Sequence, residues 1–252
     1  MLRDVIGRQF ELWIACTRGV RVKALISVGI THKCRHDAGE AGCQGTRQCS
    51  ARTVSGTHDH SRHGAKQPER FDPAREAKLD DPARFEYLPP ADVIEMLAAP
   101  QGACVIDFGT GTGTYAIELA RRRPDLQVVA LDEQPEMLDL LRAKPAAAQL
   151  KNLRPVLTDA LPELQGKADR ILAINVLHEL GDDALRGLVA LLKPEGRVLF
   201  IDWRADVERP AGPPRDHVYN VGEARKRVES FGLAVEHQHL FQYHYVLLAR
   251  GS

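Results

Sequence analysis

Three observations predict an α/β chain built on a doubly wound parallel sheet. Short apolar runs alternate with helix-like segments from about residue 100 onward. Three glycines fall at alternate positions directly after the first run, in "VIDFGTGTGTY", and an aspartate ends the second, in "LQVVALD". Such alternation covers a parallel sheet with helices on both faces, and sheets of this kind bind ligands beyond the carboxyl ends of their strands.

The first part of the chain stands apart. Residues 1–65 carry an excess of Lys and Arg and hold four of the five cysteines, Cys16, Cys34, Cys43 and Cys49. From Thr31 to Lys66 aliphatic residues are scarce and no period is sustained, so ordering entropy outweighs what burial can return. Residues 1–65 are expected to be disordered, or to be an extension from a start site set too far upstream, with Val54 the alternative first residue. Cys34, His36, Cys43, Cys49, His58, His60 and His63 are metal-ligating types, but they contain no tight Cys-x-x-Cys pair and match no zinc module. No metal is expected.

Lys and Arg total 34, as do Asp and Glu, in 252 residues. Net charge therefore gives no reason to expect a nucleic-acid or membrane partner. No apolar run reaches the ~20 residues of a membrane span. "MLRDVIGRQFELW" mixes acids and bases where a secretory leader has a clean apolar core. A reduced, cytoplasmic protein is the expectation.

A domain is expected over residues 66–252. Asp72-Pro73, Asp81-Pro82 and Pro90-Ala91 are helix starts, giving two short helices and a longer one over Ala91–Ala99. "ACVIDF" is a strand buried on both faces, and "YAIELARRR" is a helix closed by Pro124. "LQVVALD" is the second strand, and Pro135 opens a helix through Lys144. "LRPVLTD" is the third strand, "ADRILAINVL" the fourth, "DALRGLVALL" a helix and "GRVLFIDW" the fifth. "EARKRVESF" is a helix stopped by Gly232. "LAVEHQHL" and "QYHYVLLAR" then close the chain as an antiparallel pair joined by a tight connection.

Gly109, Gly111 and Gly113 thus occupy the first strand-to-helix turn, where missing side chains let a ligand approach the backbone. The pattern is G-x-G-x-G, with Thr114 where a dinucleotide fingerprint has its third glycine, and no Lys-Ser/Thr ending marks a P-loop. No cation lies between Asp107 and Glu118. The loop therefore suits a nucleoside with an uncharged linker better than a pyrophosphate, with Asp132 placed to meet a ribose diol.

On "VIDFGTGTG", "VVALDEQPEML", "LTDA", "ADRILAINVLHEL" and "LLKPEGRVLFIDW" the sequence resembles the class I S-adenosylmethionine-dependent methyltransferases, over about Phe71 to Arg250. The resemblance implies a Rossmann-like seven-stranded sheet of order 3-2-1-4-5-7-6 with the last strand antiparallel. It also implies S-adenosyl-L-methionine as cofactor. Asp107 would orient the methionine ammonium, with Gly109, Thr110 and Gly111 beneath the methionine and ribose. Asp132 and its neighbour Glu133 would meet the ribose, Asp159 and the Ala160 amide the adenine, and Asn175 the methionine tail. Asp132 and Asp159 have a second reading as helix caps, and Asn175 as a loop support.

His178, beside Glu179, is the candidate general base, with loop support as its alternative. Asp202, Trp203 and Tyr87 are candidate pocket residues. The expected reaction is methyl transfer to a small-molecule acceptor, with no nucleic acid and no membrane; the oligomeric state stays open. The alternatives are a non-catalytic S-adenosylmethionine-binding sensor or partner protein and an NAD(P)-dependent reductase.

Overall fold

The computed structural model describes residues 79–251. The boundary near residue 65, the Cys/His-rich segment and the first short helix after Phe71 lie outside the described residues. Two helices come first, α1 (Arg84–Tyr87) and α2 (Pro90–Leu97). Then follow β1 (Cys104–Phe108), α3 (Thr114–Arg122), β2 (Gln127–Asp132), α4 (Pro135–Ala143), α5 (Pro145–Ala148) and β3 (Leu153–Leu157). The second half comprises α6 (Leu161–Leu164), β4 (Ala168–Ile174), α7 (Asp182–Ala190), β5 (Leu192–Trp203), α8 (Val221–Glu229), β6 (Leu233–Leu240) and β7 (His244–Gly251).

The seven strands form one sheet of order β3-β2-β1-β4-β5-β7-β6. β1 to β5 are parallel, and β7 runs antiparallel between β5 and β6. Both faces are covered, so successive residues of the central strands enter opposite cores. Val105, Leu172 and Ile201 pack with Val93, Leu97 and Leu119 on one side. Ile106, Ile171 and Phe200 pack with Leu185, Leu188 and Val228 on the other. This two-sided burial explains why the central strands read as unbroken apolar runs. Arg170 is the buried exception on β4. Its guanidinium donates to the carbonyls of Leu97 (3.0 Å) and Ala98 (3.1 Å), placing a cation at the carboxyl end of α2.

Several boundaries depart from the sequence expectation, three of them with a visible cause. β3 stops at Leu157, because Thr158–Ala160 turn into a 3-10 helix. β4 stops at Ile174, where Asn175 adopts φ +57. β5 begins at Leu192, inside the expected helix: Leu192 pairs with Ala168, and after a bulge Arg197 pairs with Arg170. Gly196 allows that bulge. A Cβ there would meet the carbonyl oxygens of Ala168 at 2.8 Å and Lys193 at 2.9 Å. Among the described residues no helix is long and apolar enough to cross a membrane.

Gly196 and Gly187 should therefore respond oppositely to alanine. Gly196→Ala drives a methyl group into backbone and should cost ~1–3 kcal/mol. Gly187→Ala, within α7 and facing open space, should stabilise by up to ~1 kcal/mol. Urea unfolding of the two variants checks both signs.

Candidate functional site

At the carboxyl end of β1 the backbone enters the left-handed region at Gly109 (φ +70), Gly111 (φ +54) and Gly113 (φ +77). The amides of Gly109 and Thr110 donate to the Leu131 carbonyl at 2.8 and 2.9 Å. The Gly111 amide donates to Asp132 Oδ2 at 2.7 Å. The loop is thus hung from the end of β2. A Cβ on Gly109 would meet Val176 Cγ1 at 2.6 Å, and one on Gly113 would run into Leu141. Two of the three glycines are therefore required by the protein's own packing. At Gly111, among the described residues, only Leu79 Cδ1 comes near, at 3.2 Å.

Two carboxylates lie under this loop. Asp107 is buried and accepts a hydrogen bond from Thr110 Oγ1 at 2.6 Å. Burial pushes its carboxyl up to about 7, against the Thr110 hydrogen bond and with the Asp132 charge adding to the rise. Asp132 accepts the Gly111 amide on one oxygen and the Gln134 amide on the other, at 2.9 Å. Burial raises its pKa, and these two hydrogen bonds oppose the rise. Its partners tie two turns together, and the N-cap position of α4, Gln134, has no side-chain cap.

The Asn175 amide donates to the Ile201 carbonyl at 2.7 Å, while its Oδ1 is buried and has no partner among the described residues. Asp107, Thr110, Gly111, Asp132 and Asn175 thus gather at the ends of β1, β2 and β4. Glu133 lies exposed beside Asp132, and Asp159, also exposed, lies with Ala160 one strand further out, after β3.

Asp80, ahead of α1, closes over the same loop. Its Oδ1 accepts from Thr112 Oγ1 (2.6 Å), Thr114 Oγ1 (2.8 Å) and Lys144 Nζ (2.6 Å). Lys144 also donates to the Thr112 carbonyl at 2.7 Å. Nothing in the sequence pointed to this clasp, because its members come from three separate segments.

On the far side of Asn175, the neighbouring ends of β4 and β5 bring His178 to Asp202. His178 Nδ1 lies 2.8 and 2.9 Å from the two Asp202 oxygens. The His178 amide donates to Oδ2 at 3.0 Å and the Trp203 amide to Oδ1 at 2.7 Å. Burial pulls the imidazole's pKa down. The Asp202 charge and hydrogen bond, with help from Glu179 (3.5 Å from Nε2), more than reverse this and raise it to about 10. His178 therefore holds its proton through neutral pH, with Nδ1 on Asp202 and Nε2 facing Glu179. Beyond Asp202, Trp203 packs on His244 with ring centres 4.1 Å apart, and Tyr87 stacks on His244 at 5.8 Å.

The His178 pair implies a pH dependence. A group whose pKa rises from 6.5 to about 10 on folding contributes stability that is complete below 6.5 and lost as pH climbs toward 10. Urea midpoints measured from about pH 6 to 10 should fall for the native chain, and the His178→Gln variant should lack that component.

The comparisons with known proteins follow this geometry. A family model described as a methyltransferase domain matches residues 105–196. A crystal structure of an S-adenosylmethionine-dependent methyltransferase from Aquifex aeolicus is 31% identical with a TM-score of 0.66, covering 71% of this chain and 98% of that one. The 16S rRNA (adenine(1408)-N(1))-methyltransferase of Streptoalloteichus hindustanus is 30% identical over 149 residues, 51% of this chain and 67% of that protein. The release factor glutamine methyltransferase of Mycolicibacterium smegmatis is 36% identical over 76 residues, 29% of this chain. The chain spans only 27% of that relative's length.

These relatives correct one expectation. A small-molecule acceptor with nucleic acid excluded does not stand, since the similar proteins include ones named for ribosomal RNA and for a protein release factor beside one named for demethylmenaquinone. The physical reason is that net charge governs non-specific attraction and does not govern which atom a rim pocket presents to a methyl donor. By sheet order, family model and a relative covered almost end to end, the chain belongs to the class I S-adenosylmethionine-dependent methyltransferases.

Proposed function

We propose that the chain transfers a methyl group from S-adenosyl-L-methionine to an acceptor seated beyond the carboxyl ends of β4 and β5. The orphaned Asn175 Oδ1 carries this reading. It is a buried acceptor without a donor, on a residue held at φ +57. Unsatisfied buried acceptors and left-handed non-glycine residues each cost about 1–3 kcal/mol. A ligand bringing N–H donors to that place removes the first of these costs.

The residues fit the cofactor. Asp107 and Asn175 receive the methionine ammonium, and Gly109, Thr110 and Gly111 form the floor. Asp132, already accepting backbone amides that include Gly111 and Gln134, turns its remaining lone pairs to the ribose hydroxyls, with Glu133 at the same edge. Asp159 and the Ala160 amide meet the adenine edge. When bound, the sulfonium supplies an electrophilic methyl group. The protein aligns the acceptor and excludes water. His178, protonated and fixed by Asp202, carries its Nε2–H beside Glu179 at the edge of the acceptor site. The relatives' names bring RNA and protein groups forward as acceptors.

Calorimetry with S-adenosylmethionine, followed by labelled methyl transfer into RNA and protein fractions of cell extract, tests the reading. Binding without transfer to either fraction would favour a non-catalytic role. Asp107 gives a sharper expectation. Its carboxyl titrates near 7 in the free protein, and an ammonium binds only the ionised form. Affinity should fall as pH drops below about 7, by up to about tenfold per unit, with a proton released on binding. Calorimetry in two buffers of different ionisation enthalpy measures that proton, and an affinity flat across this range removes the Asp107 assignment. Asp132→Ala should weaken binding by at least about tenfold, and unchanged affinity would remove the ribose assignment.

A further inference from the structure

One face of the sheet is left open at its lower end. α6, which follows β3 on that face, has only four residues and so runs about 6 Å. The five residues of β1 or of β3 run about 17 Å. Leu164, the last residue of α6, joins Val129 and Val156 in the core, and Gly166, at φ +64, then leads the chain into β4. The amino-terminal ends of β1, β2 and β3 are left lining a cleft of about 440 Å³. The side chains there suit an open surface. Cys104, Gln127 and Arg154 line it, whereas the residues two places on along the same face, Ile106, Val129 and Val156, are buried in the core.

Three cations stand around this cleft, Lys151, Arg154 and Lys167, and all three are exposed. Among the described residues none of them is paired with a carboxylate. Glu163 is the single acid on the lining, against three cations. Asp169, close by, is already committed: it accepts the Cys104 amide at 2.9 Å and Lys193 Nζ at 2.8 Å. Elsewhere on the described surface the habit is the opposite. Arg121, Arg142, Arg186 and Arg225 each meet an acid of their own helix. The cations of the cleft also converge. Burial and the Asp169 charge push the Cys104 thiol up, and Lys193, Arg154 and Lys167 all act on it in the other direction.

We propose that this cleft is an anion site and that its ligand is a phosphate group, held by Arg154, Lys167 and Lys151. The site goes beyond the methyltransferase reading, since the glycine loop lies at the opposite, carboxyl end of β1. The cleft falls within the roughly 300–1,000 Å³ of small-ligand sites, and its cations are exposed, so a ligand enters without any ring or loop moving. A phosphate monoester brings a charge of about −1.5 to −2 on three acceptor oxygens, and a guanidinium takes two such oxygens at once. A carboxylate brings a single charge, so three acidic side chains would have to converge here to match the same cations. The chain ahead of the described residues is no counterpart either: residues 1–65 carry an excess of Lys and Arg, and like charges repel.

The test uses the full chain with Cys104 as the reporter, because its thiol lies on the lining of the cleft. Labelling by iodoacetamide is followed by mass spectrometry of the Cys104 peptide, which separates it from Cys16, Cys34, Cys43 and Cys49. Pyrophosphate or a mixed-sequence RNA dodecamer, at low salt, should slow that labelling by about tenfold at saturation, since thiol reactivity follows access. Arg154→Ala and Lys167→Ala should each raise the concentration for half protection by about tenfold. Arg225→Ala, on α8 and paired with Glu229, should leave it unchanged. Protection by pyrophosphate assigns the site to a free phosphate compound. Protection by the dodecamer alone assigns it to a nucleic-acid backbone, and each substitution then lowers the slope of log affinity against log salt by about 0.7. Labelling unchanged by both probes, equal protection by polyglutamate, or protection that survives in both alanine variants overturns the proposal. No readout here involves S-adenosylmethionine, so failure of the phosphate site leaves the methyltransferase reading standing.

Discussion

The Asp132 carboxylate is the constraint on which the rest of the site depends. Its two oxygens take the amides of Gly111 and Gln134, so one buried side chain fixes the turn after β1 against the turn after β2. The Leu131 carbonyl adds two more hydrogen bonds to the same loop, from Gly109 and Thr110. A carboxylate buried without donors would cost several kcal/mol. Here the donors are backbone groups that themselves needed acceptors. The glycine loop is therefore shaped during folding, and a ligand arriving there meets a floor whose ordering entropy has already been met. Asp80 extends the arrangement from above, with three donors converging on one oxygen to hold the approach to α1 over the loop.

Much of this was legible in the sequence, and what was not had a common cause. The central strands announce themselves because burial on both faces demands unbroken apolar runs such as "ILAI" and "VLFI". The start of β5 does not. Leu192 and Lys193 continue the helical pattern of α7, and only the pairing of Leu192 with Ala168, across the bulge at Gly196, draws them into the sheet. The glycines were read as room for a ligand. At Gly109 and Gly113 the room is taken by Val176 and Leu141, residues far along the chain that no local pattern connects to the loop. The candidate residues at strand ends are found by counting along motifs. The ion pair of His178 with Asp202, the clasp at Asp80 and the open donor of Arg209 depend on which strands become neighbours and on how loops return.

The rim beyond β5 shows how one carboxylate divides its surroundings. Burial acts on His178 and His244 in the same direction, disfavouring the charged imidazole. Asp202 decides between them. It receives His178 Nδ1 together with the amides of His178 and Trp203, and this holds His178 protonated. No oxygen of Asp202 hydrogen-bonds His244, whose pKa burial drives down to about 3 against the pull of the Asp202 charge, with Arg84 and Arg209 adding to the fall. At neutral pH the rim thus carries a compensated imidazolium, a neutral imidazole with both nitrogens idle and a guanidinium with one idle donor. Protein interiors seldom leave such groups unmatched, and the side chains around them are already committed: Asp202 to His178, and Trp203 and Tyr87 to ring packing. Within the described residues these atoms stay unmatched, so the cost of burying them is offset by the packing around them rather than by hydrogen bonds.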